Sequence, residues 1–280
     1  MEDWITGHKL PLGRWVENGI DWVNANFAYV FDFVSQVLGT VLDGLVAGLL
    51  WLNPLVLILL VAAFAFWLHR SVVLAVGILL SLLLVLNLGY WQETVETLSL
   101  ILVATALCMV IGVPIGIAAA HRPWLYAAIR PILDLMQTIP TFVYLIPTLV
   151  LFGLGTVPGL ISTIIFALPS PIRLTHLGIS STPESLKEAV LAFGATRRQL
   201  LWKAELPYAL PTIMAGLTQC IMLSLSMVVI AALGGAGGLG QPVVRALNTV
   251  NIAAGVEAGL AIVVLAILLD RLCKRPARRG

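Results

Sequence analysis

Residues 50–90 are almost unbroken apolar sequence. LWLNPLVLILLVAAFAFWL is followed by SVVLAVGILLSLLLVLNLGY, with only His69-Arg70 between them. A membrane-crossing helix needs about 20 apolar residues. The stretch therefore predicts two spans joined by a very tight turn, since a single crossing would leave Arg70 in mid-membrane. Further apolar blocks lie at about 95–120 (interrupted by GVPIG), 139–155, 157–177, 208–233 and 252–270. The expected count is seven spans. Ahead of them Trp15, Ile20, Val23, Phe27, Val30, Phe31, Val34 and Leu38 recur at helical spacing, with Glu17, Asp21, Asp32 and other polar residues between. This predicts an amphipathic helix at 14–38 that lies on a membrane surface or packs on the bundle. Its acidic face disfavours anionic lipid and favours packing.

One segment breaks the apolar pattern. Residues 181–207, STPESLKEAVLAFGATRRQLLWKAELP, are polar but helix-patterned. Ser181-Thr182-Pro183-Glu184 has the spacing of a capping box, with proline in the first turn. A helix over about 183–193 follows, with Leu186, Val190 and Phe193 on one face. Gly194 is placed to end it in a left-handed cap. Thr196-Arg197-Arg198-Gln199 is a second capping box, and a second short helix runs to about Leu206. Pro207 and Pro211 suit the first turn of the next span. Two helices too short and polar to cross should form a firm knob at one membrane face.

Composition and charge complete the outline. The 280 residues are 60% hydrophobic and 11% charged, with a mean hydropathy of +1.01. Soluble domains carry about 25% charged residues, so lipid is the expected solvent. The net charge of +2 offers nothing to nucleic acid. With seven spans, every basic residue except Lys9, Arg14 and Arg245 falls on one side, which is cytoplasmic by the positive-inside rule. The N-terminus is then outside and the C-terminus inside. The expected organisation is an extracytoplasmic segment (1–49), a transmembrane domain (50–270) and a basic cytoplasmic tail (271–280). The opening MEDWITGHKLPLGRWVENG has no apolar core and does not read as a signal peptide. Cys108, Cys220 and Cys273 have no metal-ligand spacing and read as unpaired thiols.

The polar segment also carries a resemblance. Glu188-Ala189, then Gly194, then Leu206-Pro207 resembles the EAA loop of ABC-importer permeases, with Val190 where a second alanine is usual. QTIPTFVYLIPTLVLFGLG and LPTIMAGLTQCIMLSLSMVVIAALGGAGGLG, with the hairpin, are similar to permeases for glycine betaine, proline and choline, over roughly 70–270. The resemblance implies an all-α membrane protein with the type I importer permease core of five helices, plus the N-terminal amphipathic helix and extra spans. It implies a bacterial cytoplasmic-membrane homodimer that imports quaternary ammonium osmolytes. Glu188, Ala189, Gly194, Leu206 and Pro207 would couple to an ABC ATPase, and a solute-binding protein would deliver substrate outside. A different small amine or amino acid, or a secondary transporter, are the alternatives. No GxxxxGK[ST] occurs, so ATP and Mg would belong to the partner ATPase and this chain would hold no cofactor or metal.

Other features read two ways. Pro140, Phe142 and Tyr144 would form a polar, aromatic stop in a translocation path, or simply pack. Met222, Ser224, Ser226 and Met227 stand likewise. Cation–π attraction of a quaternary ammonium to tyrosine contributes about 0.5–2 kcal/mol. GGAGGLG at 234–240 reads as a flexible turn or gate. Pro169 and Pro171 are expected to break the fifth span at the cytosol, and Arg173 to anchor there. No catalytic set is evident, so the chain reads as a transport subunit and not an enzyme.

Overall fold

The computed structural model describes residues 11–273. Glu2, Asp3, Lys9 and the tail from Lys274 onward lie outside the described residues. Every described element is helical. In chain order they are α1 (Leu12–Trp51), α2 (Pro54–His69), α3 (Val72–Asn87), α4 (Trp91–His121), α5 (Pro123–Thr138), α6 (Thr141–Phe152) and α7 (Thr156–Ala167). They continue with α8 (Pro169–Ser180), α9 (Glu184–Ala192), α10 (Arg197–Leu200), a π-helical turn (Leu201–Glu205), α11 (Leu206–Leu233), α12 (Gly240–Asn248) and α13 (Ile252–Cys273).

The α2–α3 hairpin forms as its sequence requires. Asn53 caps α2 through its side chain and Pro54 occupies the first turn. Arg70 turns the chain in the left-handed region (φ 52°), and Ser71 caps α3. Each helix has only 16 residues, about 24 Å at 1.5 Å per residue, against about 30 Å of hydrocarbon. The expected span at 139–155 is shorter still. It is the 12-residue α6, set at 98° to α5. Pro140 causes the break, because it lacks an N–H and drives the preceding residue out of the helical region. Ile139 is accordingly extended (φ −65°, ψ 131°).

By length and composition, five helical runs among the described residues can cross a membrane, or six if α5 and α6 together make one span. One of the five is α1. The amphipathic helix expected to stop near Leu38 runs on to Trp51, with one non-helical residue at Phe27. Its later half packs on the bundle. Leu42 is buried with Leu100, Ala104 and Leu160, and Phe31 meets Phe152 edge-on at 5.3 Å. The seven expected apolar segments are thus all helical and α1 adds an eighth, while α2, α3 and α6 are each shorter than the length a single straight crossing needs.

The centre of the fold is α4, the continuous run Thr156–Ser180 made by α7 and α8, and α11. Pro169 and Pro171 do not break that run. They occupy the first turn of α8, where a missing N–H costs little, and Leu168 keeps helical angles. Close approach is the reason for Gly116. A Cβ there would stand 2.6 Å from Thr175 Cβ and 2.7 Å from the Ile172 carbonyl oxygen. A second core, including Ile58, Ile78, Leu82, Ile101, Leu225 and Leu265, holds α2 and α3 against α4, α11 and α13.

The glycine-rich loop is tied down rather than free. The Gly238 N–H donates to Glu96 Oε2 (2.7 Å) and the Leu239 N–H to Thr97 Oγ1 (2.8 Å). The Gly155 N–H donates to the Gly234 carbonyl (3.0 Å). These contacts place the start of α4 beside the end of α11. The end of α4, at His121, lies at the opposite face, where the polar hairpin projects.

Candidate functional site

The hairpin is built from local signals, with one exception. The first capping box does not form. A Ser181 cap would put Thr182 in the helix, and a residue before proline resists that conformation. Pro183 (φ −56°, ψ 136°) is the cap residue instead, and α9 starts at Glu184. Ser181 Oγ turns back to donate to the Gly178 carbonyl (3.0 Å). Glu184 accepts from Lys187 Nζ at 3.2 Å across one turn.

The exit from α9 follows expectation. Gly194 has φ 80°, and its N–H donates to the Leu191 carbonyl at 2.8 Å. The Ala195 N–H reaches the Val190 carbonyl (3.4 Å), as in a left-handed helix cap. The second capping box is complete. The Gln199 N–H donates to Thr196 Oγ1 (3.3 Å) and the Thr196 N–H to Gln199 Oε1 (2.8 Å). The second short helix does not stand alone, however. α10 has four residues and passes through the π turn into α11, making one helical run Arg197–Leu233. Pro207 explains the turn, since it has no N–H for the carbonyl four residues back and its ring crowds that carbonyl. The Leu206 N–H bonds to the Leu201 carbonyl in the wider π pattern.

The surface of the knob is mixed. Glu188, Ala189, Gly194 and Pro207 are exposed, and Leu206 is half-buried against Ile179, Ala209 and Ile213. Phe193 is 94% exposed at the tip, with Leu191, Leu186 and Trp202 also exposed. Arg197, Arg198 and Lys203 are exposed beside them. A rigid projection with an aromatic tip and a basic flank can seat in a complementary groove of another protein. Sequence reading missed the exposure of Phe193, which it placed on a shared face with Leu186 and Val190. It also missed Glu205, buried at 3% exposure and paired with His121. A carboxylate inside the apolar stretch before Pro207 was the available signal.

The candidate path residues divide. Pro140 sits at the bend between α5 and α6. Tyr144 is half-buried, and its hydroxyl donates across that bend to the Leu135 carbonyl (3.3 Å). Phe142, Met222 and Ser226 are exposed. Ser224 and Met227 are fully buried inside the subunit, and Ser224 Oγ donates to the Cys220 carbonyl (2.8 Å). Their helical phase turns them into the packing around α11, away from its exposed face. Two contacts fasten α5 to α8. Arg173 pairs with Asp134, and Tyr126 stacks on His176 with ring centroids 3.6 Å apart. Cys108 and Cys220 are free and buried, and Cys273 is free and half-buried.

At the opposite face a cavity of about 230 Å³ is lined by Tyr90, Glu93, Gln241, Arg245 and Thr249, among others. Burial raises the Tyr90 phenol above its ordinary 10.0, and the Glu257 and Glu93 carboxylates add to the rise. Among the described residues, no group of three or more His, Cys, Asp or Glu side chains is placed to hold a metal ion.

Comparison with known proteins agrees with this architecture. Residues 112–279 match the family described as binding-protein-dependent transport system inner membrane component. The chain is 47% identical, over 273 residues, to the glycine betaine/proline betaine transport system permease protein ProW of Escherichia coli (strain K12). That likeness covers 97% of this chain and 77% of that protein. It is 44% identical to the glycine betaine transport system permease protein OpuAB of Bacillus subtilis (strain 168), covering 94% and 93%. A chain of the MetNI methionine ABC transporter in an inward-facing conformation superposes with a TM-score of 0.57 at 26% identity, covering 62% of this chain and 88% of that one.

Proposed function

On the premise that the chain belongs to the binding-protein-dependent transport inner-membrane family, we propose that it carries glycine betaine, proline betaine or a related quaternary amine as the permease of an ABC importer. It is a multi-pass inner-membrane protein with the type I importer fold. The hairpin is the observation that carries the mechanism. Its left-handed cap at Gly194 and its exposed Phe193 form a firm projection, and a separate ATPase that binds ATP and Mg grips it. ATPase closure pushes the knob, whose second helix leads through the π turn into α11 and so ties the knob to the membrane bundle. The hairpin face is cytoplasmic, with the N-terminus outside and the C-terminus inside.

Two copies pack around a common axis. The open faces of α6 and α11, with Phe142, Met222 and Ser226 exposed, line the path between them, with Pro140 and Tyr144 at the bend. One tyrosine per subunit cannot enclose a trimethylammonium group, so the selective site lies in the extracytoplasmic solute-binding protein. The test is reconstitution in proteoliposomes with the ATPase, with and without that protein, measuring glycine betaine uptake. ATP-dependent uptake that needs the binding protein is expected. Selective uptake without ATP would revive a secondary transporter and refute the reading.

A further inference from the structure

Glu205 is the only charged residue among the described residues that is buried. Isolating a carboxylate from water is strongly unfavourable unless it is paired. Its partner is His121, the last residue of α4, whose Nε2 lies 2.9 Å from Glu205 Oε2. The other ring nitrogen, Nδ1, lies 2.9 Å from the Ile117 carbonyl oxygen. Both ring nitrogens lie within hydrogen-bond distance of an oxygen, one on the backbone of α4 and one on Glu205. The imidazole is thus held at both nitrogens, and its direction is set by α4.

The position of this pair matters more than its energy. Glu205 ends the π turn that joins the hairpin to α11. A π turn departs from the regular helical ladder and is a natural pivot. At the far end of α4, Glu96 and Thr97 accept from the Gly238 and Leu239 N–H groups just beyond α11. α4 is therefore fastened to both ends of α11, once at each membrane face.

We propose that Glu205 and His121 are positioning residues for transport, forming the inner clip that makes the hairpin and α4 move as one body. A push on the hairpin then reaches the outer glycine-rich loop through α4, about 46 Å long at 1.5 Å per residue, instead of being absorbed at the π turn. The proposal rests on the importer reading above.

The experiment uses the full complex in proteoliposomes, with ATP hydrolysis and glycine betaine uptake measured in the same vesicles. The variants are His121→Ala, Glu205→Gln and the exchange His121→Glu with Glu205→His. Both single variants should keep hydrolysis while uptake per ATP falls by roughly tenfold, within the range for disturbed coupling. The exchange should recover most of the ratio. A merely structural role would lower hydrolysis and uptake together and leave the ratio unchanged, and that result would overturn the proposal. Should a single variant fail to fold, the double variant His121→Ala with Glu205→Gln decides, because it removes the clip without leaving a buried carboxylate unpaired. Absence of ATP-driven uptake in the unsubstituted complex would refute the importer reading, and the clip with it.

Discussion

Substitution of Gly194 separates backbone strain from steric blocking at the hairpin. Gly194 sits at φ 80°, and a Cβ added there would meet nothing within 4 Å. Any cost of a side chain inside the protein therefore comes from the backbone alone. An L-residue in the left-handed region costs about 1–2 kcal/mol, more if β-branched, while asparagine adopts it readily. Gly194→Asn should be nearly neutral, Gly194→Ala intermediate and Gly194→Val worst. If the strain is relieved by opening the knob, each 1.4 kcal/mol lowers the formed fraction up to tenfold, and the apparent affinity for the ATPase falls with it. Valine should thus weaken binding by about 10- to 30-fold. The assay is titration of the ATPase against permease in lipid nanodiscs, with uptake measured in parallel at equal expression. Equal losses for asparagine and valine would show that the added atoms block a docking surface instead. Wild-type binding by the valine variant would remove Gly194 from the coupling scheme.

Three further outcomes are expected. Phe193→Ser should leave thermal unfolding unchanged, since the ring is 94% exposed. It should weaken ATPase binding by roughly 2 kcal/mol or more if the ring is the central anchor, and unaltered binding in the same titration would place the anchor elsewhere. Gly116→Val should lower the detergent melting temperature, because the nearest atoms, Thr175 Cβ and the Ile172 carbonyl oxygen, are part of the packed α8, and overpacking costs about 1–3 kcal/mol. A melting curve superposable on the parent's would contradict that packing. Single cysteines at Asn18 and Ser185, both on exposed positions in a background without the native three, should react with an impermeant maleimide from opposite sides of the membrane. Reaction from one side only would reverse the proposed placement of the N-terminus.

Much of this protein was legible in its sequence, because the governing interactions are short-ranged. Apolar runs specify lipid-embedded helices, and Asn53, Pro54 and Ser71 punctuate them within a few residues. The second capping box, Thr196 with Gln199, and the left-handed cap at Gly194 are properties of four- to six-residue windows. Local competition explains the first failed box as well, since Pro183 restrains Thr182 before any tertiary contact forms. Tertiary structure decided what depends on direction and partners. Composition cannot say that α6 leaves α5 at 98° or that α1 continues to Trp51 and buries Leu42. It also cannot distinguish Met222 and Ser226, on the open face of α11, from Ser224 and Met227, turned inward on the same helix. The pairing of Glu205 with His121, 84 residues apart in the chain, is visible only after folding. Burial and long-range pairing are properties of the assembled bundle, and one strand of sequence holds only one side of each contact.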